Sequence, residues 1–260
     1  MILISSAAYV NHELILEFGK LPPAMLPLQN QRLFHHQIKL FEGSEKIIIS
    51  LPEGYLLTEA DLLFLEKKSV QIVFVPVGFS LGHSIIYVLN VVGKYDDPIR
   101  ILHGDTLFNV LPKEYDTCYV SKVHDNYEWS YSNEVNKDNI YSGYFSFSNQ
   151  KLLIKAITKK KFDFIAGFKE YRELKIIDEI FTEFWLDFGL VTTYFRSKAH
   201  LTTQRVFNDL KITKFSVLKS SVDKNKMIAE SNWYRNVPLD IKYFTPSFWK
   251  KNKKDTKAYY

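Results

Sequence analysis

Two short stretches carry residue types at spacings that could do chemistry. The first is His103-Gly104-Asp105, at the end of an apolar run; the second is Trp185-Leu186-Asp187-Phe188-Gly189. In each, an aspartate has a glycine close by, and a glycine lets backbone approach a ligand closely. Asp187 lies inside an apolar, strand-like run, where an unpaired charge is costly. It therefore needs a partner: a cation, a metal or a hydrogen-bonding cluster. Two carboxylates at the ends of separate strands could hold one Mg²⁺ together with phosphate oxygens, the usual way that ion is bound. Each aspartate also has a plainer reading. Asp105 could cap the turn into Thr106-Leu107-Phe108, and Asp187 could form a structural ion pair with Arg205 or a lysine.

The elements that must position these residues alternate along the first two-thirds of the chain. Apolar, β-branched runs at Ile2–Ser5, 46–51, 70–76 and Ile99–His103 are short and nearly continuous, as expected of strands buried on both faces. Helical periodicity separates them, over 31–41, 58–67 and Leu81–Val92. Thr58 three residues before Asp61 is a capping-box arrangement. Such alternation predicts an α/β fold with a mixed, mostly parallel sheet flanked by helices. Ligands bind at the carboxyl ends of such strands, which is where Asp105 falls. Beyond it the pattern predicts strands over 115–123, 128–132 and 141–148, then helices over 150–160 and 163–174. A short strand near 186–193, a helix over 199–210 and a strand over 214–221 follow, with 227–233 pairing to the last. No internal repeat or long linker divides the chain, so residues 1–245 read as one domain and 246–260 as a basic tail.

Composition narrows the function classes. With 260 residues, 46% of them hydrophobic and 24% charged, the chain has enough apolar material for a real core. The single cysteine, Cys118, excludes an intrachain disulfide and a cysteine zinc cage, and in its apolar setting it reads as a small buried hydrophobe. No apolar run is long enough to span a membrane, and Met1-Ile2-Leu3-Ile4-Ser5 reads as a strand rather than a signal peptide. A reducing, cytoplasmic setting is expected. The net charge of +5 sits largely in residues 250–260, where five lysines and one aspartate give +4 and leave +1 for the rest. A body so close to neutral lacks the basic face that nucleic acid demands. The tail and the run Lys159-Lys160-Lys161 read as solvated, the run as a helix end suited to the dipole. His35 and His36 lack a third ligand at zinc spacing and read as helix-surface and packing residues.

The two aspartate motifs, in this order, resemble the sugar-phosphate nucleotidyltransferase family, which joins NTPs to sugar 1-phosphates. That family has a strand ending in Gly-Asp and a later Trp-x-Asp-x-Gly segment; here these are Gly104-Asp105 and Trp185 to Gly189. The stretch from Gly19-Lys20 to Pro27-Leu28 is similar to the family's Pro-Lys-x-Leu-Leu-Pro-Val segment. Ser80-Leu81-Gly82-His83 stands where the family often has a glycine-containing turn against base and sugar. Arg205 to Asn208, and Lys219-Ser220-Ser221 through Lys226 to Glu230 and Trp233, resemble a subgroup from capsule and lipopolysaccharide gene clusters.

The resemblance implies a Rossmann-like, GT-A-like nucleotidyltransferase fold and a Mg²⁺-dependent transfer with release of pyrophosphate, for surface polysaccharide synthesis. Asp105 and Asp187 would be the metal ligands, and Lys20, Lys219 and Lys226 the phosphate cations. Gly82, Gly104, Trp185 and Gly189 would line the substrate, although buried aromatic packing is the better default for Trp185. The partners implied are an NTP and a phosphorylated sugar or similar acceptor; a homo-oligomer is compatible with the ring-rich composition. The family's Gly-x-Gly-Thr-Arg loop is absent, because residues 5–13 hold neither glycine nor arginine. Either the triphosphate is held differently or the transfer is lost. A GT-A-type glycosyltransferase and a non-catalytic protein of the same fold are the alternatives.

Overall fold

The computed structural model describes residues 1–41, 43, 45–122, 130–131, 139–201, 208–212, 217–221, 224–245, 249–250 and 257–259. Two compact units emerge, Met1–Lys198 and Ala199–Tyr260.

In the first unit the order is β1 (Ile2–Ser5), α1 (His12–Phe18), a 3₁₀ turn (Pro23–Met25), β2 (Pro27–Leu28), β3 (Gln31–Arg32), α2 (Leu33–Lys39), β4 (Ile47–Pro52) and α3 (Glu59–Lys67). Then come β5 (Gln71–Val75), α4 (Leu81–Val92), β6 (Ile99–His103), β7 (Thr106–Leu107), β8 (Thr117–Lys122) and β9 (Asn139–Phe147). Finally α5 (Gln150–Lys159), α6 (Phe164–Arg172), β10 (Asp178–Phe181), β11 (Leu186–Asp187) and α7 (Val191–Leu201) complete the series. Seven strands form one sheet in the order β10-β8-β9-β6-β1-β4-β5. β1 pairs in parallel with both β4 and β6, β4 with β5, and β8 with β10; only β9 runs against its neighbours.

Burial on both faces explains the unbroken apolar runs of the central strands. Leu3, Ile48, Val73 and Ile101 join a core with α4, α5 and α6. Ile2, Ile4, Ile49 and Leu102, pointing the other way, pack with Phe34 and Ile38 of α2 and Leu65 of α3. The mixed, mostly parallel sheet with flanking helices is the predicted one. The capping box forms as well, Thr58 Oγ1 accepting from Asp61 N–H at 3.2 Å while Asp61 Oδ2 accepts from Thr58 N–H.

Several local expectations need correction. Residues 31 and 32 belong to a hairpin: Gln29 and Asn30, both left-handed at φ +50° and +62°, form the turn that pairs β2 with β3. The strand expected over 186–193 ends at Asp187, because β11 has a single two-residue partner, β7, and α7 begins at Val191. The helix expected over 199–210 is described as far as Leu201, residues 202–207 lie outside the described residues, and Leu210 lies in a strand instead. The expected strand over 128–132 falls largely outside the described residues, although Tyr131 bridges Ile140.

The second unit contains β12 (Asn208–Ile212), β13 (Val217–Ser221), α8 (Lys224–Arg235), α9 (Leu239–Lys242), β14 (Trp249–Lys250) and β15 (Lys257–Tyr259). Its antiparallel sheet has the order β12-β13-β15-β14. Residues 227–233, expected to pair as a strand, are helical in α8, where Met227 and Ser231 are buried one turn apart. No helix among the described residues is long and apolar enough to cross a membrane.

Candidate functional site

At the carboxyl end of β6 the chain turns through Gly104 and Asp105 into β7. The glycine is required there: a Cβ would lie 2.7 Å from Ser6 Cβ and 2.9 Å from the Ser5 carbonyl. Gly104 N–H donates to that same carbonyl at 2.8 Å, which ties the turn to the end of β1. β7 then pairs with β11, Thr106 standing opposite Asp187, and Phe188 N–H donates to the Asp105 carbonyl at 2.8 Å. This two-residue ribbon brings together aspartates 82 positions apart in the sequence. A methyl on Gly189 would sit 3.1 Å from Asp105 Oδ2 and 3.3 Å from Asp187 Oδ1, so both carboxylates converge on that glycine.

The pair is held by residues that sequence reasoning passed over. Gln37, fully buried in α2, donates from Nε2 to the carbonyls of His103 (3.0 Å) and Thr106 (2.8 Å), fixing the Asp105 turn from both sides. Its signal was a polar residue on the apolar face with Phe34 and Ile38. Asn11 accepts from Leu14 N–H to cap α1 and donates from Nδ2 to the Gly189 carbonyl at 3.0 Å. Ser197 of α7 donates to the Asp187 carbonyl at 2.7 Å. Trp185, one of the expected substrate contacts, donates its indole N–H to Thr106 Oγ1 at 2.7 Å, and Thr106 Oγ1 donates onward to the Ser142 carbonyl at 3.0 Å.

Burial and mutual repulsion govern the charges. Burial, and then the neighbouring Asp105, push the Asp187 carboxyl up from 3.8 to about 7, against smaller opposing effects of Thr193, the Gly189 N–H and Arg196. Burial raises Asp105 as well. Both residues are half-buried as whole residues, but Asp187 Oδ2 is shut off from solvent and has no hydrogen-bond partner. An orphaned carboxylate oxygen beside a second carboxylate is what a cation would satisfy. Two carboxylates and no third also suit Mg²⁺, which keeps waters and phosphate oxygens in its shell; among the described residues no group of three or more His, Cys, Asp or Glu comes together. His103, two residues before Asp105, is held neutral, its pKa lowered to about 4 by burial between the rings of Phe145 and Phe164.

Lys20 is exposed, its Nζ 4.4 Å from the centre of the Tyr9 ring. Gly82 is buried in α4, where a Cβ would come within 2.4 Å of the Phe162 carbonyl oxygen, so helix packing already requires a glycine. Lys219 lies on β13 and Lys226 on an exposed face of α8, both in the second unit. In the segment that lacks the glycine loop, Ser6 donates its N–H to Ser50 Oγ and accepts from Ala24 N–H at 2.9 Å.

No family model matches the chain, and no curated protein matches it. Solved structures do. A nucleoside-diphosphate-sugar pyrophosphorylase from Vibrio cholerae RC9 superposes with a TM-score of 0.57 at 15% identity, covering 76% of this chain and 99% of its own. The UTP-bound UGPase of Acinetobacter baumannii gives 0.56 at 14% identity, covering 76% and 92%. The inositol-1-phosphate CTP transferase of T. maritima gives 0.54 at 15% identity, covering 76% and 94%. The chain thus has the Rossmann-like fold of the nucleotidyltransferases.

Proposed function

We propose that this protein is a nucleotidyltransferase that couples an NTP to a sugar 1-phosphate, or a similar phosphorylated acceptor, and releases pyrophosphate. The observation that carries the reading is the convergence of Asp105 and Asp187 on Gly189 at the carboxyl edge of a nucleotidyltransferase-like sheet. Their repulsion leaves a site that gains from a divalent cation, and these two side chains would hold Mg²⁺. The ion, when bound, supplies positive charge to the phosphate oxygens around the reacting phosphorus.

In the transfer, an acceptor phosphate oxygen bonds to the α-phosphorus as the bond to pyrophosphate breaks, so no protein nucleophile is needed. The protein's task is positioning. The ribbon of β7 and β11 fixes the two carboxylates, and Gln37 and Trp185 hold the ribbon. Asn11 joins the segment after β1 to the Gly189 turn, at the edge where the triphosphate would lie. Lys20, Lys219 and Lys226 are the proposed phosphate cations, to which Arg196 is added because its charge is felt at Asp187. The product would be an activated building block for a surface polysaccharide, made in the cytoplasm.

One observation favours a second reading, a non-catalytic protein of this fold: the segment after β1 lacks glycine and arginine, and its Asn11 side chain is already committed to the helix cap and to Gly189. Pyrophosphate release decides between them. The protein is assayed with Mg²⁺ against the common NTPs and a panel of sugar 1-phosphates and other phosphorylated acceptors. Release that needs one NTP and one acceptor, and is lost in Asp105→Asn and Asp187→Asn, supports transfer. Silence across the panel with no NTP binding by calorimetry supports the second reading.

A further inference from the structure

The three lysines of the run 159–161 are all exposed at the end of α5, as expected, but they are not alike. Lys159 and Lys160 both pair with Glu170 of α6, Lys160 Nζ at 3.1 Å from Oε2. These two suffice for the favourable charge at the end of α5. Lys161 makes no ion pair among the described residues and departs from the helix. Its φ is +54°, and that of Phe162 is +65°. Phe162 N–H donates to the Ile157 carbonyl at 3.0 Å and Lys161 N–H to that of Thr158 at 3.1 Å. This is the helix-ending motif in which the first left-handed position usually belongs to glycine. A lysine there, followed by a second left-handed residue with a bulky ring, is strained backbone.

The strain is held in place from α4. Ser80 Oγ donates to the Phe162 carbonyl at 2.9 Å, Gly82 lets that carbonyl come close, and the His83 ring stacks on Phe162 with centroids 3.7 Å apart and planes at 19°. Beside the turn opens a cavity of about 480 Å³, whose lining includes Ser80, Leu81, His83, Lys161, Phe162 and Phe164. Ser80 follows β5, whose carboxyl end is on the same side of the parallel sheet as that of β6, and the Phe164 ring meets that of His103, two residues before Asp105. The other charged group of the lining, Asp163, is committed to capping α6, where Oδ1 accepts from Ala166 N–H at 2.9 Å. Among the described residues Lys161 is thus the one lysine or arginine of the lining. Strained conformations persist at functional positions when the surroundings over-determine them, as they do here.

We infer that Lys161 is a phosphate-binding residue, kept left-handed so that its ammonium meets the phosphate of a ligand in this cavity. Naming that ligand as the phosphorylated acceptor rests on the transfer reading; the anion site itself does not.

The test sets stability against binding. Lys161→Gly relieves the backbone and removes the charge, Lys161→Gln removes the charge alone, and Lys161→Arg keeps it. Inorganic phosphate and glucose 1-phosphate are titrated into the full-length protein and followed by calorimetry and thermal melting. Without ligand, Lys161→Gly is expected to melt about 1 to 3 °C above wild type, and Lys161→Gln is not. The half-saturating phosphate concentration should rise about tenfold in both, and Lys161→Arg should restore it.

Wild-type protein that does not respond to phosphate, or Gly and Gln variants that respond as wild type does, would overturn the assignment. A lowered melting temperature in Lys161→Gly would overturn the strain argument even where the Gln variant loses binding. Failure of the transfer reading looks different: phosphate binding stays dependent on Lys161 while no NTP and acceptor pair yields pyrophosphate. Conversely, turnover by Lys161→Gln at the wild-type KM for the acceptor would sink the lysine's role and leave the transfer intact.

Discussion

Replacing Asp187 by asparagine removes one of the two facing carboxylates while keeping the side chain's size and an oxygen for the Gly189 N–H. In the folded, metal-free protein the Asp187 carboxyl is raised from 3.8 to about 7, by burial first and by Asp105 second. The folded state therefore binds more protons than the unfolded chain between these values. Stability falls as the pH rises through that window, and above it the whole penalty is felt. A carboxyl raised that far is worth up to about 4 kcal/mol at about pH 8. Burying an amide in its place takes back part of this, so we expect a gain of about 2 to 3 kcal/mol from Asp187→Asn, or roughly 4 to 10 °C in melting temperature. At about pH 4 the Asp187 carboxyl is protonated in the folded state and the gain should all but vanish.

Mg²⁺ reverses the comparison. It should stabilise the wild type in proportion to its binding and leave the variant nearly unaffected. The assay is thermal melting across pH in chelator and in excess Mg²⁺, with urea unfolding to fix the free energies. A variant less stable than wild type in chelator at about pH 8, or a gain equal at both pH values, would refute the reasoning about the pair.

Three further outcomes follow from the packing. Gly189→Ala puts a methyl 3.1 and 3.3 Å from the two carboxylate oxygens; it should fold with a loss under about 1 kcal/mol yet lose its Mg²⁺-dependent thermal shift and about 100-fold in pyrophosphate release. Gly82→Ala drives a Cβ against the Phe162 carbonyl and should lower the urea-derived stability by about 1 to 3 kcal/mol. Cys118 is buried, and its thiol is pushed up to about 12, so iodoacetamide should leave the native protein unlabelled by intact mass and label it in denaturant.

The central sheet was legible because burial on both faces writes itself into the sequence as unbroken β-branched runs. Ile2–Ser5 and Ile99–His103 form strands with the expected bounds; Asp105 could be singled out because it follows the carboxyl end of such a strand, and Asp187 because a charge among apolar residues has to be accounted for. Short-range chemistry was equally readable, as the Thr58 and Asp61 capping box shows.

Tertiary structure decided everything that depends on what lies across a gap. That Asp105 and Asp187 face one glycine follows from the pairing of β7 with β11, two residues each and far apart in sequence, which no local pattern encodes. That Gln37 and Asn11 hold this arrangement depends on which carbonyls come within reach, and that Gly82 meets the Phe162 backbone depends on how α4 packs against the turn after α5. The run 159–161 makes the same point: three like residues in the sequence differ in the structure because two reach Glu170 and the third takes the left-handed turn. Composition and periodicity fix which faces are buried. Only the closing of the chain on itself fixes which polar atoms meet, because that depends on distances between segments that the sequence keeps apart.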